Sequence, residues 1–164
     1  MELSPFEIIK NSIDNHNLFK KKDTLVVSFS GGPDSVFLMK TLEKLHAGRL
    51  IYIHFVHGIR LGDEKREAAL LKKIESKNNI EIITRRLPTK SYAKKHSVSI
   101  EHAGRLLRHS FLIHFLKLKK ANHVITGHHF DDHIETYLLK KKRGSRYPIG
   151  LKFKTLIYNK SFIK

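Results

Sequence analysis

The stretch Leu25 to Leu45, LVVSFSGGPDSVFLMKTLEKL, constrains this chain more than any other. An apolar run from Leu25 to Phe29 predicts a strand, and Val36 to Leu45 carries a helical pattern. Between them lies Ser30-Gly31-Gly32-Pro33-Asp34-Ser35. Strand, Gly-rich turn and helix together are the build of an anion site. Two glycines let the backbone come close to a phosphate, and the N–H groups at the helix start point at it. Ser35 is expected to add a hydroxyl donor there. Asp34 is expected to add a carboxylate where a phosphate-bound Mg²⁺ would want one. The plain alternative is a tight strand-to-helix turn with Asp34 and Ser35 as cap residues.

Two better-known phosphate loops are excluded. A Walker A loop needs G-x-x-x-x-G-K-[ST], and no Lys sits beside these glycines. A dinucleotide fingerprint needs G-x-G-x-x-G, and here the glycines are adjacent. S-G-G-P-D-S instead resembles the PP-loop of the ATP pyrophosphatases. Those proteins bind ATP and release pyrophosphate while adenylating a substrate.

The 164 residues suit one domain with a real core. No window approaches 18 uncharged apolar residues, so no membrane span is expected. The N-terminus lacks a signal-peptide core, and Ser4-Pro5-Phe6-Glu7 reads as a capping box with Pro at the first helical position. The absence of Cys excludes disulfides, thiolate metal sites and a catalytic thiol, and the expected compartment is the cytoplasm. Net charge is +17, and the excess is localised. Arg85 to Lys120 holds ten Lys or Arg against one acid, Glu101, and beyond Glu135 there are nine Lys or Arg and no acid. Clustered positive charge points to a polyanion, most simply nucleic acid. The alternative is a Lys-rich solvated surface.

Strands are expected at Leu25–Phe29, Leu50–Val56, Ile80–Leu87 and His123–Thr126. Helices are expected over Pro5 to about Phe19, Val36–Leu45, Asp63–Lys77, Glu101–Lys120 and Asp131 to about Lys142. Pro88 to Ile100 reads as a basic connecting segment. This alternation predicts an α/β fold, a Rossmann-like parallel sheet flanked by helices. Ligands in such sheets bind beyond the carboxyl ends of the strands, where strand order reverses. If the first and fourth strands are neighbours, the loops Ser30–Ser35 and Gly127–Asp132 converge on one site.

Three further clusters carry chemistry. Thr126 to Thr136, TGHHFDDHIET, packs three carboxylates and three imidazoles into one short stretch. On a helix beginning near Asp131, the acids Asp131, Asp132 and Glu135 can share a face, and a Mg²⁺ brought with ATP would relieve their repulsion. The alternative is that acids simply favour helix N-termini. His128 and His129 suit phosphate contact, acid–base work or metal ligation. Glu101, Arg105 and Arg108 fall on one helical stripe, as phosphate-binding guanidinium groups or as a surface ion pair. His54-Phe55-Val56-His57-Gly58-Ile59-Arg60 ends the second strand at the ligand edge, or is merely a polar loop.

Together the four clusters resemble tRNA(Ile)-lysidine synthetase from about Leu25 to Leu151. HFVHGIR resembles its H-x-N-H-x-L-R segment, EHAGRLLR its E-x-x-A-R-x-x-R helix, and GHHFDDHIETYLLKKKRGS its H-H-x-D-D-x-x-E-T…R-G-S block. Val56 stands in place of the usual Asn, Gly104 in place of Ala, and His109 in place of a common Tyr. The resemblance implies a PP-loop catalytic domain over 1–164. It comprises an N-terminal helix in 1–22, a core over 23–151 and a shortened end over 152–164, without the family's C-terminal tRNA-binding region. It implies ATP-dependent ligation of free L-lysine to carbon 2 of the wobble cytidine in the CAU anticodon of tRNA(Ile). It also admits a homodimer.

The implied roles follow residue by residue. Ser30, Gly31, Gly32, Pro33, Asp34 and Ser35, with His54 and His57, hold ATP. Asp131 and Asp132 organise Mg²⁺ or position the lysine amine, and Glu135 supports them or orients the lysine. Arg105 and Arg108 contact phosphate or substrate carboxylate, and His128 neutralises charge at the α-phosphate. Arg108, Lys140, Lys141, Lys142, Arg143 and Arg146 meet the tRNA. Three other readings remain open: a non-catalytic ATP- or RNA-binding remnant, a PP-loop tRNA thiolase and a metal phosphohydrolase. Thiolases of this type generally use cysteines, which this chain lacks.

Overall fold

The computed structural model describes residues 3–58, 63–127, 142, 154–157 and 160–163. The elements run α1 (Pro5–Asn15), β1 (Leu25–Ser28), α2 (Pro33–Leu45), β2 (Leu50–Val56), α3 (Asp63–Asn78), β3 (Ile82–Arg86), α4 (Thr89–His96), α5 (Ile100–Leu118), β4 (His123–Thr126), β5 (Lys154–Ile157) and β6 (Lys160–Ile163). They build an α/β fold around one sheet of strand order β3-β2-β1-β4-β6-β5. Every pairing is parallel except that of β5 with β6.

The order reverses beside β1. The chain steps outward through β2 and β3, then crosses back to place β4 on the other side of β1. Ser28 pairs in register with Ile53 on one side and Thr126 on the other, so the carboxyl ends of β1 and β4 lie level. That is the adjacency on which the convergence of the two loops depends.

Alternation along β1 divides the core. Leu25 and Val27 join Phe29, Met39, Leu42, Tyr52 and Leu71 on one face, whereas Val26 joins Ile53, Phe55, Leu112, Phe115 and Leu116 on the other. Burial of both faces explains why β2 reads as an almost unbroken apolar run.

At the opposite edge of the sheet Asp23 ties the strand starts together. Its carboxylate accepts from the Lys20 N–H at 2.8 Å and meets His123 Nε2 at 3.1 Å. Its carbonyl lies 2.7 Å from His46 Nε2.

The expected capping box is present, with Glu7 N–H donating to Ser4 Oγ at 3.3 Å and Ser4 N–H to Glu7 Oε2 at 2.8 Å. α1 nevertheless stops at Asn15, short of Phe19, because Asn17 turns into the left-handed region at φ 43°. The basic segment after Pro88 is not merely a connection. It forms α4, anchored by buried Thr89 and Ala93, with Lys90, Lys94 and Lys95 exposed. The stretch expected as a shortened end supplies β5 and β6, and β6 extends the parallel sheet beside β4. The expected helix from Asp131 lies outside the described residues except for Lys142, which is helical and exposed. Among the described residues no helix is long and apolar enough to cross a membrane.

Candidate nucleotide-binding site

Past β1 the chain leaves the sheet through a loop held by its own side chains. Gly31 sits at φ +83°, a conformation that an L side chain resists. Gly32 is the N-cap of α2 and Pro33 its first residue, so no side chain caps the helix start. Ser30 Oγ donates to Ser35 Oγ at 3.1 Å and accepts from the Gly32 N–H at 3.3 Å. Ser35 Oγ donates to the Gly32 carbonyl at 2.8 Å. The single hydroxyl proton of buried Ser35 is therefore used inside the loop, which differs from the expectation of a free donor at the helix start. What the loop offers an anion is its backbone and the positive end of α2.

A cleft of about 160 Å³ opens above this loop, lined by Ser28, Ser30, Gly32, Asp34, Ser35, Arg108, Thr126 and Gly127. Its position is the reversal point between β1 and β4, where open parallel sheets bind ligands. Small-molecule sites commonly enclose roughly 300–1,000 Å³, so these residues wall only part of one. Ser28 was not singled out in the sequence, and Thr126 entered only as the first residue of the His- and Asp-rich stretch. Their signal was positional, since each is the last residue of a strand that feeds a candidate loop.

Arg108 is the cation in the cleft. It is half-buried on α5, and burial first, then neighbouring Arg105, push its guanidinium below the ordinary value. A guanidinium so placed remains charged at neutral pH and can fork onto phosphate oxygens. This position suits anion contact in the cleft as well as the expected tRNA contact. Arg105 is exposed and lies outside the cleft lining, and Glu101 forms no ion pair with it.

His54 on β2 and His57 just past its end are not among the residues that line the cleft. His54 is buried, with Nδ1 3.0 Å from the Phe29 carbonyl and Nε2 3.8 Å from Glu67 Oε2. His57 Nδ1 lies 3.4 Å from Thr89 Oγ1. Burial, with Arg108 and His54 adding, holds the His57 imidazole below its ordinary pKa, while Glu67 acts in the opposite sense. Gly104 lets α5 approach this ring, because a Cβ there would sit 3.1 Å from His57 Nδ1. One turn further along α5 comes Arg108. His54 Nδ1 thus meets the backbone at the start of the loop.

Asp34, exposed at the first turn of α2, is the carboxylate that the described residues place in the cleft. Among the described residues no group of three His, Cys, Asp or Glu could hold a metal. A single carboxylate at a phosphate site suits a Mg²⁺ that also takes phosphate oxygens. His128, Asp131, Asp132, Glu135, Lys140, Lys141, Arg143 and Arg146 lie outside the described residues.

Comparison with known proteins agrees with this geometry. The PP-loop domain family, an ATP-binding family by its designation, matches residues 5–153. The tRNA(Ile)-lysidine synthase of Clostridioides difficile is 30% identical over 143 residues, covering 85% of this chain and 31% of that protein. The synthase of Thermosipho africanus is 32% identical over 152 residues, covering 91% of this chain and 35% of that protein. The chain thus spans about a third of the length of these curated relatives. In fold it resembles the U34-tRNA thiolase NcsA of Methanococcus maripaludis, solved with its [4Fe-4S] cluster. The TM-score is 0.67 at 18% identity over 85% of this chain and 51% of that one. It also resembles the NH3-dependent NAD synthetase of Campylobacter jejuni, at TM-score 0.52 and 16% identity over 75% of this chain and 53% of that one. With the loop, the switch-point cleft and a match over residues 5–153 in hand, the chain belongs to the PP-loop domain family.

Proposed function

We propose that this chain is an ATP-dependent tRNA-modifying ligase that joins lysine to the wobble cytidine of an isoleucine tRNA with a CAU anticodon, in the cytoplasm. The carrying observation is the S-G-G-P-D-S loop, with Gly31 at φ +83°, sharing one cleft with Arg108 at the β1–β4 reversal point. Support for the lysidine chemistry comes from curated relatives of that name at about 30% identity.

The reaction has two steps. The oxygen on carbon 2 of the base attacks the α-phosphorus of ATP, and pyrophosphate leaves. The lysine amine, having lost a proton, then attacks carbon 2, and AMP carries the oxygen away. Adenylation turns a poor leaving oxygen into a good one, so the protein supplies mainly positioning and charge neutralisation. In this reading the backbone of Gly31 and Gly32 and the start of α2 hold the β- and γ-phosphates. Arg108 neutralises charge that develops on the departing pyrophosphate. Asp34, with Asp131 and Asp132, would hold Mg²⁺, which would screen the phosphate oxygens. Asp131, Asp132 and Glu135 position the amine, with His128 beside the α-phosphate. Lys140–Arg143 and Arg146 meet the tRNA backbone. Exposed Lys90, Lys94 and Lys95 on α4 add positive potential near the carboxyl edge of the sheet, where Thr89 meets His57.

The product pattern tests the proposal. Incubation with ATP, lysine and the tRNA should release AMP and pyrophosphate in equal amounts. Release of ADP and inorganic phosphate would place the chemistry at the wrong phosphorus and reject it.

A further inference from the structure

The ladder between β1 and β2 ends in an unusual handover. The Phe29 N–H makes the last backbone bond, to the Ile53 carbonyl at 2.8 Å. The Phe29 carbonyl lies 3.0 Å from Nδ1 of His54, in a bond that is itself buried. A carbonyl only accepts, so Nδ1 must carry a proton. Nε2 has no hydrogen-bond partner among the described residues. The ring, 5% exposed, thus makes this one hydrogen bond to the backbone.

The peptide bond after Phe29 leads into the loop. Its trans plane fixes the Ser30 N–H opposite the Phe29 carbonyl. Whatever orients that carbonyl therefore orients the first amide of the phosphate loop, one residue before Gly31 at φ +83°. We propose that His54 is a positioning residue that clamps the Phe29 carbonyl, and through it sets the conformation in which the Ser30–Ser35 loop receives phosphate. Its effect on the nucleotide is indirect, through one backbone plane. The proposal rests on the reading of this loop as the ATP site.

Two measurements on the full chain test it. In the wild type, nitrogen-15 histidine spectra should show His54 with a protonated Nδ1. A neutral ring with its proton on Nε2 would overturn the clamp, because no bond to the carbonyl could form. ATP titration with Mg²⁺ should show His54→Leu binding about tenfold more weakly, the scale of one lost buried hydrogen bond. His54→Asn, whose amide can donate from near the Nδ1 position, should recover most of that loss. Both comparisons are made where circular dichroism shows a folded chain. Wild-type affinity in a folded His54→Leu variant, or an Asn variant as weak as Leu, would also reject the role. If His54→Leu does not fold, the tautomer decides. If the wild type fails to bind ATP, the reading of the loop falls, while the tautomer still decides whether the clamp exists.

Discussion

Gly31 and Gly32 are neighbours in sequence but carry different physical burdens, and substituting each by Ala separates them. At Gly31 a Cβ would lie 3.7 Å from Leu70 Cδ2 and 3.8 Å from Leu71 Cδ2, ordinary contact distances. The penalty of Gly31→Ala is therefore conformational, from φ +83°. A left-handed L residue costs about 1–2 kcal/mol. For a chain of this size each kcal/mol shifts Tm by roughly 2–4 °C, so the loss should be about 2–8 °C. Gly32 sits at φ −73°, ψ 166°, which any residue adopts, and its Cβ would lie 3.5 Å from Ser30 Oγ. Gly32→Ala should leave Tm unchanged or raise it, by up to about 1 kcal/mol of lost unfolded-state freedom. Because Gly32 lines the cleft, its methyl should still weaken ATP binding, by about tenfold or 1.4 kcal/mol. Thermal unfolding and ATP titration on the two variants read both quantities. Equal Tm losses, or a Gly31→Ala chain as stable as wild type, would refute the reasoning.

Four other outcomes follow from the structure. His57 has a lowered folded pKa, so the unfolded chain binds its proton more readily, and stability should fall as pH drops through the ordinary value of 6.5. Unfolding curves at pH 7.5 and 5.5 should show a smaller acid loss in His57→Asn. Arg108→Leu removes a neighbouring positive charge and should raise the His57 pKa, readable by proton NMR titration, while weakening ATP binding. Asp34→Ala should lower lysine ligation by roughly 10²-fold with the fold intact, and activity within a few-fold of wild type would remove Asp34 from the site. Asp23→Ala should cost about 1–3 kcal/mol in urea unfolding, because it removes the carboxylate that accepts from the Lys20 N–H and meets His123 at the opposite edge of the sheet.

Much of the sheet was legible because its signals are local and strong. Leu25–Ser28 and Leu50–Val56 are continuous apolar runs, and the Gly-Gly-Pro turn marks where one strand must stop. α4 was hidden because TKSYAKKH carries no apolar stripe, and only Thr89 and Ala93 turn inward. β5 and β6 were hidden by their lysines, since Lys-Thr-Leu-Ile and Lys-Ser-Phe-Ile are too short to outweigh the charge around them. The Gly-Gly-Pro turn after β1 was legible from its residue types, but the use of its hydroxyls was not. A Ser at a helix start can face a ligand or bond its own loop, and only the Ser30–Ser35 and Ser35–Gly32 contacts separate the two. His54 shows the same limit. Its place at the strand end suggested ligand contact, whereas its partner, the Phe29 carbonyl, is distant by 25 positions in sequence.

The most direct test of the proposed function is incorporation of labelled lysine into a CAU-anticodon isoleucine tRNA by the purified chain with ATP and Mg²⁺. The account predicts ATP-dependent label at the wobble position, lost in Asp34→Ala. No label, with ATP binding intact, would contradict it and leave a nucleotide-binding PP-loop domain without ligase activity.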